Sequence, residues 1–165
     1  MKPATISDIK SALQLLTQKE LIALCAKMAS FRKENKEMLT YLLFEADDQA
    51  MFIRNVKEEM DDIFDNAASN MYLARKTYRK ALKAVNKYIR FAGNKTTEVE
   101  LLIYFCQCMN NSPNPIHKYK VTSNMYQRQV IKIEKALQSL HEDLQYDYGQ
   151  QLEELKKAGE AGKGY

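Results

Sequence analysis

Four carboxylates at three- and four-residue spacing, Glu58, Asp61, Asp62 and Asp65, form the pattern in this chain that comes nearest to metal chemistry. Such spacing brings side chains to one face of a helix. Carboxylates on bundle helices hold metal pairs when Glu-x-x-His motifs join them from two further helices. No Glu-x-x-His occurs here: His117 sits in a proline-bearing segment, and Gln138 stands three residues before His141. No metal and no other cofactor is therefore expected, and the acids read as a solvated face or as a surface for a basic partner. His141, Glu142 and Asp143 place an imidazole beside acids, which invites acid-base chemistry, but a single helical His of this kind reads as an exposed residue. Cys25, Cys106 and Cys108 lie in apolar runs with no His nearby to act as base. On a helix Cys106 and Cys108 point about 200° apart, a poor geometry for joint ligation. All three are expected to be small buried residues. Glycine-rich phosphate loops and nucleophile elbows are missing as well.

The remaining concentration of chemistry is cationic. Between Tyr72 and Arg90 stand Arg75, Lys76, Arg79, Lys80, Lys83, Lys87 and Arg90, with no acid among them. At about 100° per residue these seven fall within an arc of about 140°, opposite Ala74, Tyr78, Ala81, Leu82, Val85, Tyr88, Ile89 and Ala92. The stretch is thus one cationic face laid on one apolar face, and Tyr72 projects into the middle of the stripe, where a ring could stack on a base or cover lysine stems. Like charges at i and i+4 repel by a few tenths of a kcal/mol per pair, so a compensating anion is expected. It could come from outside, as phosphates spaced along a nucleic acid. It could also come from the preceding segment, Glu45 to Asp65, where eight acids stand against only Arg54 and Lys57. Consecutive helices usually lie side by side. The sequence favours the solvated or self-paired face over the polyanion site, because charge runs mostly mark wet helix surfaces.

These faces require helices, and the composition supplies them. In 165 residues there are 5 glycines and 3 prolines, and before Gly149 the chain is punctuated only at Pro3, Gly93, Pro113 and Pro115. A first short helix is predicted with Ser7 as its N-cap, and a second from the capping box Thr17 to Glu20. Met38 to Ala46 is apolar almost all round, which predicts a helix enclosed by others. An amphipathic acidic helix from Asp47 to Asp65 follows, with a joint over Asp65 to Asn70. The basic helix is predicted from Met71 to Ala92, stopped by Gly93 as a left-handed cap. Thr97 and Glu100 suggest another capping box opening an apolar helix through Met109. Asn110 to Ser123 reads as a long loop. After it Tyr126, Val130, Ile133, Leu137, Leu140 and Leu144 make a heptad seam, with Tyr148, Leu152 and Leu155 extending it past a bend or stop at Gly149. A homodimer through this helix after Ser123 is one use of that seam.

The segments Glu20 to Phe31 and Lys80 to Phe91 share apolar spacing, and each precedes a Glu-headed apolar helix. That echo suggests two αα-hairpins, as in HEAT-like or armadillo-like repeats. The phrases RKENKEMLTYLLFEA, Arg32 to Ala46, and LHEDLQYDYG, Leu140 to Gly149, resemble those of an uncharacterised family of soluble, all-helical bacterial proteins. The resemblance implies a compact cytoplasmic helical protein and transfers no functional residue.

The sequence therefore predicts an all-α chain of about six helices, as antiparallel hairpins in a bundle or short HEAT-like array. One domain is expected over residues 1–148, a helical extension over 149–158 and a disordered tail over 159–165. No membrane span is expected, and three cysteines without a disulfide framework fit a reducing cytoplasm. The functional expectation is a non-enzymatic interaction module recognising a protein partner through charged helix faces. Tyr72 and the seven cations would carry the binding. Nucleic-acid binding by the same helix is the alternative, followed by an enzyme of unrecognised class.

Overall fold

The computed structural model describes residues 2–65 and 70–161. Regular structure among them is entirely helical, so the all-α expectation holds, with eight α-helices in place of about six. They are α1 (Ile6–Leu13), α2 (Gln18–Phe31), α3 (Lys33–Thr40), α4 (Gln49–Asp65), α5 (Met71–Ala92), α6 (Lys95–Asn111), α7 (Lys120–Leu137) and α8 (Glu142–Ala161). A π-helical turn, Tyr41–Glu45, follows α3, and a 3₁₀ turn, Ile116–Lys118, precedes α7. The chain divides into two compact units, Met1–Glu45 and Ala46–Tyr165.

The first unit is built from local signals. Thr5 and Asp8 close a capping box on α1, two residues before the predicted cap Ser7. The predicted box on α2 is present: the Glu20 amide donates to Thr17 Oγ1 at 3.3 Å, and the Thr17 amide donates to the Glu20 carboxylate at 2.8 Å. Arg32 adopts an extended conformation and breaks α2 from α3, and Asn35 ties the corner by donating to the Met28 carbonyl at 2.9 Å. α3 packs on α2 and runs into the π turn. Tyr41 is the one buried residue in α1, α2, α3 and the π turn. The prediction of an enclosed helix over Met38 to Ala46 is overturned: Leu42, Leu43 and Phe44 are 51, 62 and 75% exposed. Cys25, expected to be buried, is exposed on α2. Both reversals have one cause, since three helices of 8, 14 and 8 residues are too short to surround one another.

The second unit has a true core, centred on α6. α6 packs against α4, α5, α7 and α8. Val99, Leu101, Leu102, Phe105, Cys106 and Met109 are completely buried in it, each large apolar side chain contributing roughly 1.5–3 kcal/mol of transfer free energy. α6 begins earlier than the predicted Thr97 box: Asn94 is its N-cap and accepts from the Thr97 amide at 2.8 Å, leaving Thr97 itself buried. α5 spans the predicted Met71 to Ala92, capped by Asn70 and ended by Gly93 at φ 65°, a left-handed conformation that suits glycine. The predicted joint after Asp65 falls largely outside the described residues. The expected long loop shortens to 112–119, because α6 continues to Asn111 and α7 starts at Lys120.

The heptad seam is divided between two helices. α7 stops at Leu137, and α8 returns from Glu142, with the Gln145 side-chain amide donating to the Leu140 carbonyl at 2.7 Å across the turn. Tyr126, Val130, Ile133 and Leu137 are buried inside the protomer, as α7 packs on α6 and α8. Gly149 lies within α8 and does not end it. α8 also runs past the expected boundary of the tail: Gly159 is buried, and a Cβ there would come within 2.6 Å of Gln127 on α7. That glycine marks a close approach of two helices, and residues 162–165 lie outside the described ones.

Candidate interaction face

α5 carries the cationic stripe because its other side is core. Ala74, Tyr78, Ala81, Val85 and Ile89, spaced three or four residues apart, are buried, and Phe64 of α4 stacks on Tyr78 with ring centroids 5.6 Å apart. The cations are thereby forced outward along one ridge whose two edges meet different neighbours.

One edge faces α4. Lys80 and Thr77 line a cleft with Glu59, Asp62 and Ile63, and Tyr88 donates its hydroxyl to Glu59. Burial and the Glu59 charge push the Tyr88 phenol up to about 12, and the Lys87 ammonium lies 4.3 Å from its ring centroid. Other side chains of α4 turn towards α6: Asp61 accepts from Tyr104 Oη at 2.7 Å, and Lys57 pairs with Glu100 at 2.7 Å. The acidic helix thus meets the ridge along one side and also serves α6.

The other edge faces α7. Arg79 and Leu82 form a shallow groove with Val121, Asn124, Met125, Arg128 and Gln129. Arg75 lies with its guanidinium carbon 5.5 Å from the Tyr119 ring centroid. A further arginine, Arg128, therefore extends the cationic surface beyond α5. The sequence offered a signal for it: Arg128 falls between Tyr126 and Val130 of the seam and must point away from the core, although only the fold shows which face it joins.

Between these edges stand Lys76, Lys83 and Arg90, all exposed. Tyr72 is 65% exposed and carries Lys76 at 4.9 Å over its ring. Among the described residues, no carboxylate lies within ion-pair distance of Arg79, Lys80 or Lys83. The structure brings all eight predicted site residues onto one helix, with Lys76, Arg79, Lys80 and Lys83 exposed, while Arg90 and Lys87 hold interactions within the protein.

The acidic quartet does not assemble a metal centre; among the described residues no group of three or more His, Cys, Asp or Glu is placed to hold an ion. A cleft of about 690 Å³ does collect Asp61, Asp65, Tyr104, Cys108, Asn111 and Glu154. Burial and the neighbouring Asp61 charge push the Cys108 thiol up to about 12, so it stays protonated near neutrality and is a poor nucleophile. Burial likewise raises Cys106. His141 is exposed beside Asp143. No described helix is long and apolar enough to cross a membrane. Comparison with family models, with curated proteins and with solved structures finds no match.

Proposed function

We propose that this chain is a non-enzymatic helical interaction module of the reducing cytoplasm that docks an acidic segment of a partner protein on the ridge of α5. The observation that carries the reading is the open groove between α5 and α7. Arg79 and Arg128 face one channel there, with Asn124 and Gln129 beside them and no carboxylate paired to Arg79 among the described residues. Guanidinium groups bind carboxylates through two parallel hydrogen bonds, so two arginines in one channel suit glutamates one helical turn apart.

Nucleic acid is the second reading, favoured by Tyr72 under Lys76 and Tyr119 under Arg75, which interleave rings with cations. The α4 edge weighs against it. Glu59 and Asp62 border the ridge, and a phosphate backbone tracking α5 would run beside them, whereas a short acidic helix in the α5/α7 groove avoids both.

Fluorescence anisotropy with a glutamate-rich helical peptide, a single-stranded oligonucleotide and a duplex, at low and moderate salt, separates the readings. Docking predicts micromolar, salt-sensitive peptide binding that Arg79→Glu combined with Arg128→Glu weakens by about tenfold or more. Tighter binding of either oligonucleotide would favour the second reading, and no salt-sensitive binding of any probe would overturn both.

A further inference from the structure

The first unit has helices whose sequence encodes burial and whose surfaces are open. Setting Ile22 at zero on α2, Leu21, Leu24, Cys25, Met28 and Phe31 fall between about 180° and 300°, a single stripe. Leu24, Met28 and Phe31 are 39, 57 and 74% exposed. On α1, Ile6, Ile9 and Leu13 share an arc of about 60°, and the first two are 70 and 43% exposed. Well-formed caps show that these helices are specified locally, yet helices this short are marginal in water without a packed face.

We propose that this unit is a dimerisation unit, in which the α2 stripes of two copies pair antiparallel about Cys25. Three observations select a second copy as the occupant. The first is area. From Ile6 to Phe44, twelve large apolar side chains are exposed, against six from Tyr72 to Tyr146. At roughly 150–200 Å² for a fully open large side chain, the twelve offer on the order of 1,000 Å². On the α2 stripe Leu24, Met28 and Phe31 offer on the order of 300 Å² of this. The pair therefore reaches interface size only with the open side chains of α1, α3 and the π turn at its margins, and Ile22 is left outside it. A standard interface takes about 800 Å² per partner, and the largest apolar patch on a typical monomer is about 300–600 Å².

The second is register. The midpoint of α2, Gln18–Phe31, falls between Leu24 and Cys25. A two-fold axis there sets Leu24 against the other copy's Cys25 and Leu21 against its Met28, so stripe meets stripe over the middle of the helix, while Phe31 meets the other copy's Gln18. The third is charge. In an isologous antiparallel pair the same flank of each helix meets its equivalent. Glu20 and Lys27 lie on one flank at about 160° and 140°, so each copy's Glu20 comes near the other's Lys27. The seam of α7, by contrast, is already filled within the protomer. The proposal is independent of the ridge on α5.

Sedimentation equilibrium on the full chain is the test. The expected result is twice the 19.1 kDa chain mass for the native protein, and the single-chain mass for Met28→Glu with Phe31→Glu, with the helical circular dichroism of the chain largely kept. Ile22→Glu lies about 120° from the middle of the stripe and keeps the dimer. Diamide, which takes two electrons and two protons from a pair of thiols as the S–S bond forms, is expected to link the native dimer and to leave Cys25→Ser unlinked. Helix axes 8–10 Å apart put facing backbones within disulfide reach. A native chain that stays monomeric to high micromolar concentration overturns the proposal, as does a dimer insensitive to the stripe variant. So would loss of the dimer in Ile22→Glu, or a dimer that diamide does not link.

Discussion

The hydroxyl of Tyr126 joins the last two helices of the second unit: it donates to the main-chain carbonyl of Leu155 at 2.9 Å and accepts from the Asn110 side-chain amide at 2.9 Å. Tyr126 is completely buried, and His117 meets its ring edge-on with centroids 4.8 Å apart. A carbonyl in the middle of α8 already serves its own helix, so the phenol supplies a second bond that fixes how α8 lies on α7. Tyr126→Phe keeps the volume and leaves the Asn110 amide and the Leu155 lone pair without this partner. The expected cost is about 1–2 kcal/mol, read as a lower urea midpoint at unchanged slope.

Glu98 is a buried carboxylate, 7% exposed, held by Lys95 at 2.7 Å and Lys132 at 3.4 Å. Burial alone would raise its pKa, but the Lys95 hydrogen bond and the two ammonium charges outweigh burial and hold it below the ordinary 4.5. A depressed folded-state pKa adds stability above the ordinary value, and that stability is lost as pH falls through and below it. Native protein is therefore expected to lose urea resistance between about pH 5 and about pH 3. Glu98→Gln should destabilise by about 1–2 kcal/mol near neutrality and flatten that acid slope. An unchanged slope would show that the capping carboxylates Asp8 and Glu20, also held low by their threonines, account for all of it.

Alkali acts with the opposite sign. Burial is the largest influence on Tyr88, Tyr126 and Tyr148, and it pushes each phenol up to about 12 from the ordinary 10.0. Glu59 and Glu100 add to the effect at Tyr88 and Tyr148. The folded chain keeps these protons where the unfolded chain has lost them, so stability is full below about pH 10 and declines as pH rises towards 12. Ultraviolet difference titration should show a late group of phenols containing these three and Tyr104, whose phenol burial and Asp61 also raise. Tyr88→Phe should remove one phenol from the late group only.

What the sequence revealed followed from local and periodic signals. The Thr17 box, the Gly93 stop and the two faces of α5 are short-range facts, set by caps, by one left-handed residue and by a 3.6-residue period. They appear in the fold as read. Enclosure was less legible, because an apolar run states that a segment prefers burial without saying what covers it. The apolar residues of α6 are surrounded by four helices, whereas Leu42, Leu43 and Phe44, in a run of similar composition, stand open. Arg128 was missed as a ridge residue for a related reason: it lies on α7, and its place beside Arg79 depends on how two helices pack.

The ridge contains its own internal control. Lys80 shares its cleft with Glu59 and Asp62, whose charges already offset part of its field, whereas Lys83 stands exposed in the middle of the stripe. If an acidic partner docks along the groove between α5 and α7, Lys83→Glu removes an attractive charge and adds a repulsive one close to that partner. Lys80→Glu makes the same change on the far edge, in a region already acidic. Lys83→Glu is therefore expected to weaken acidic-peptide binding by about tenfold and Lys80→Glu by about threefold or less, with the difference shrinking at higher salt as screening shortens the reach of both. Peptide titrations by anisotropy at two ionic strengths measure both. Equal losses would mean that the partner crosses the whole ridge, and a larger loss at Lys80 would move the docking line to the α4 edge.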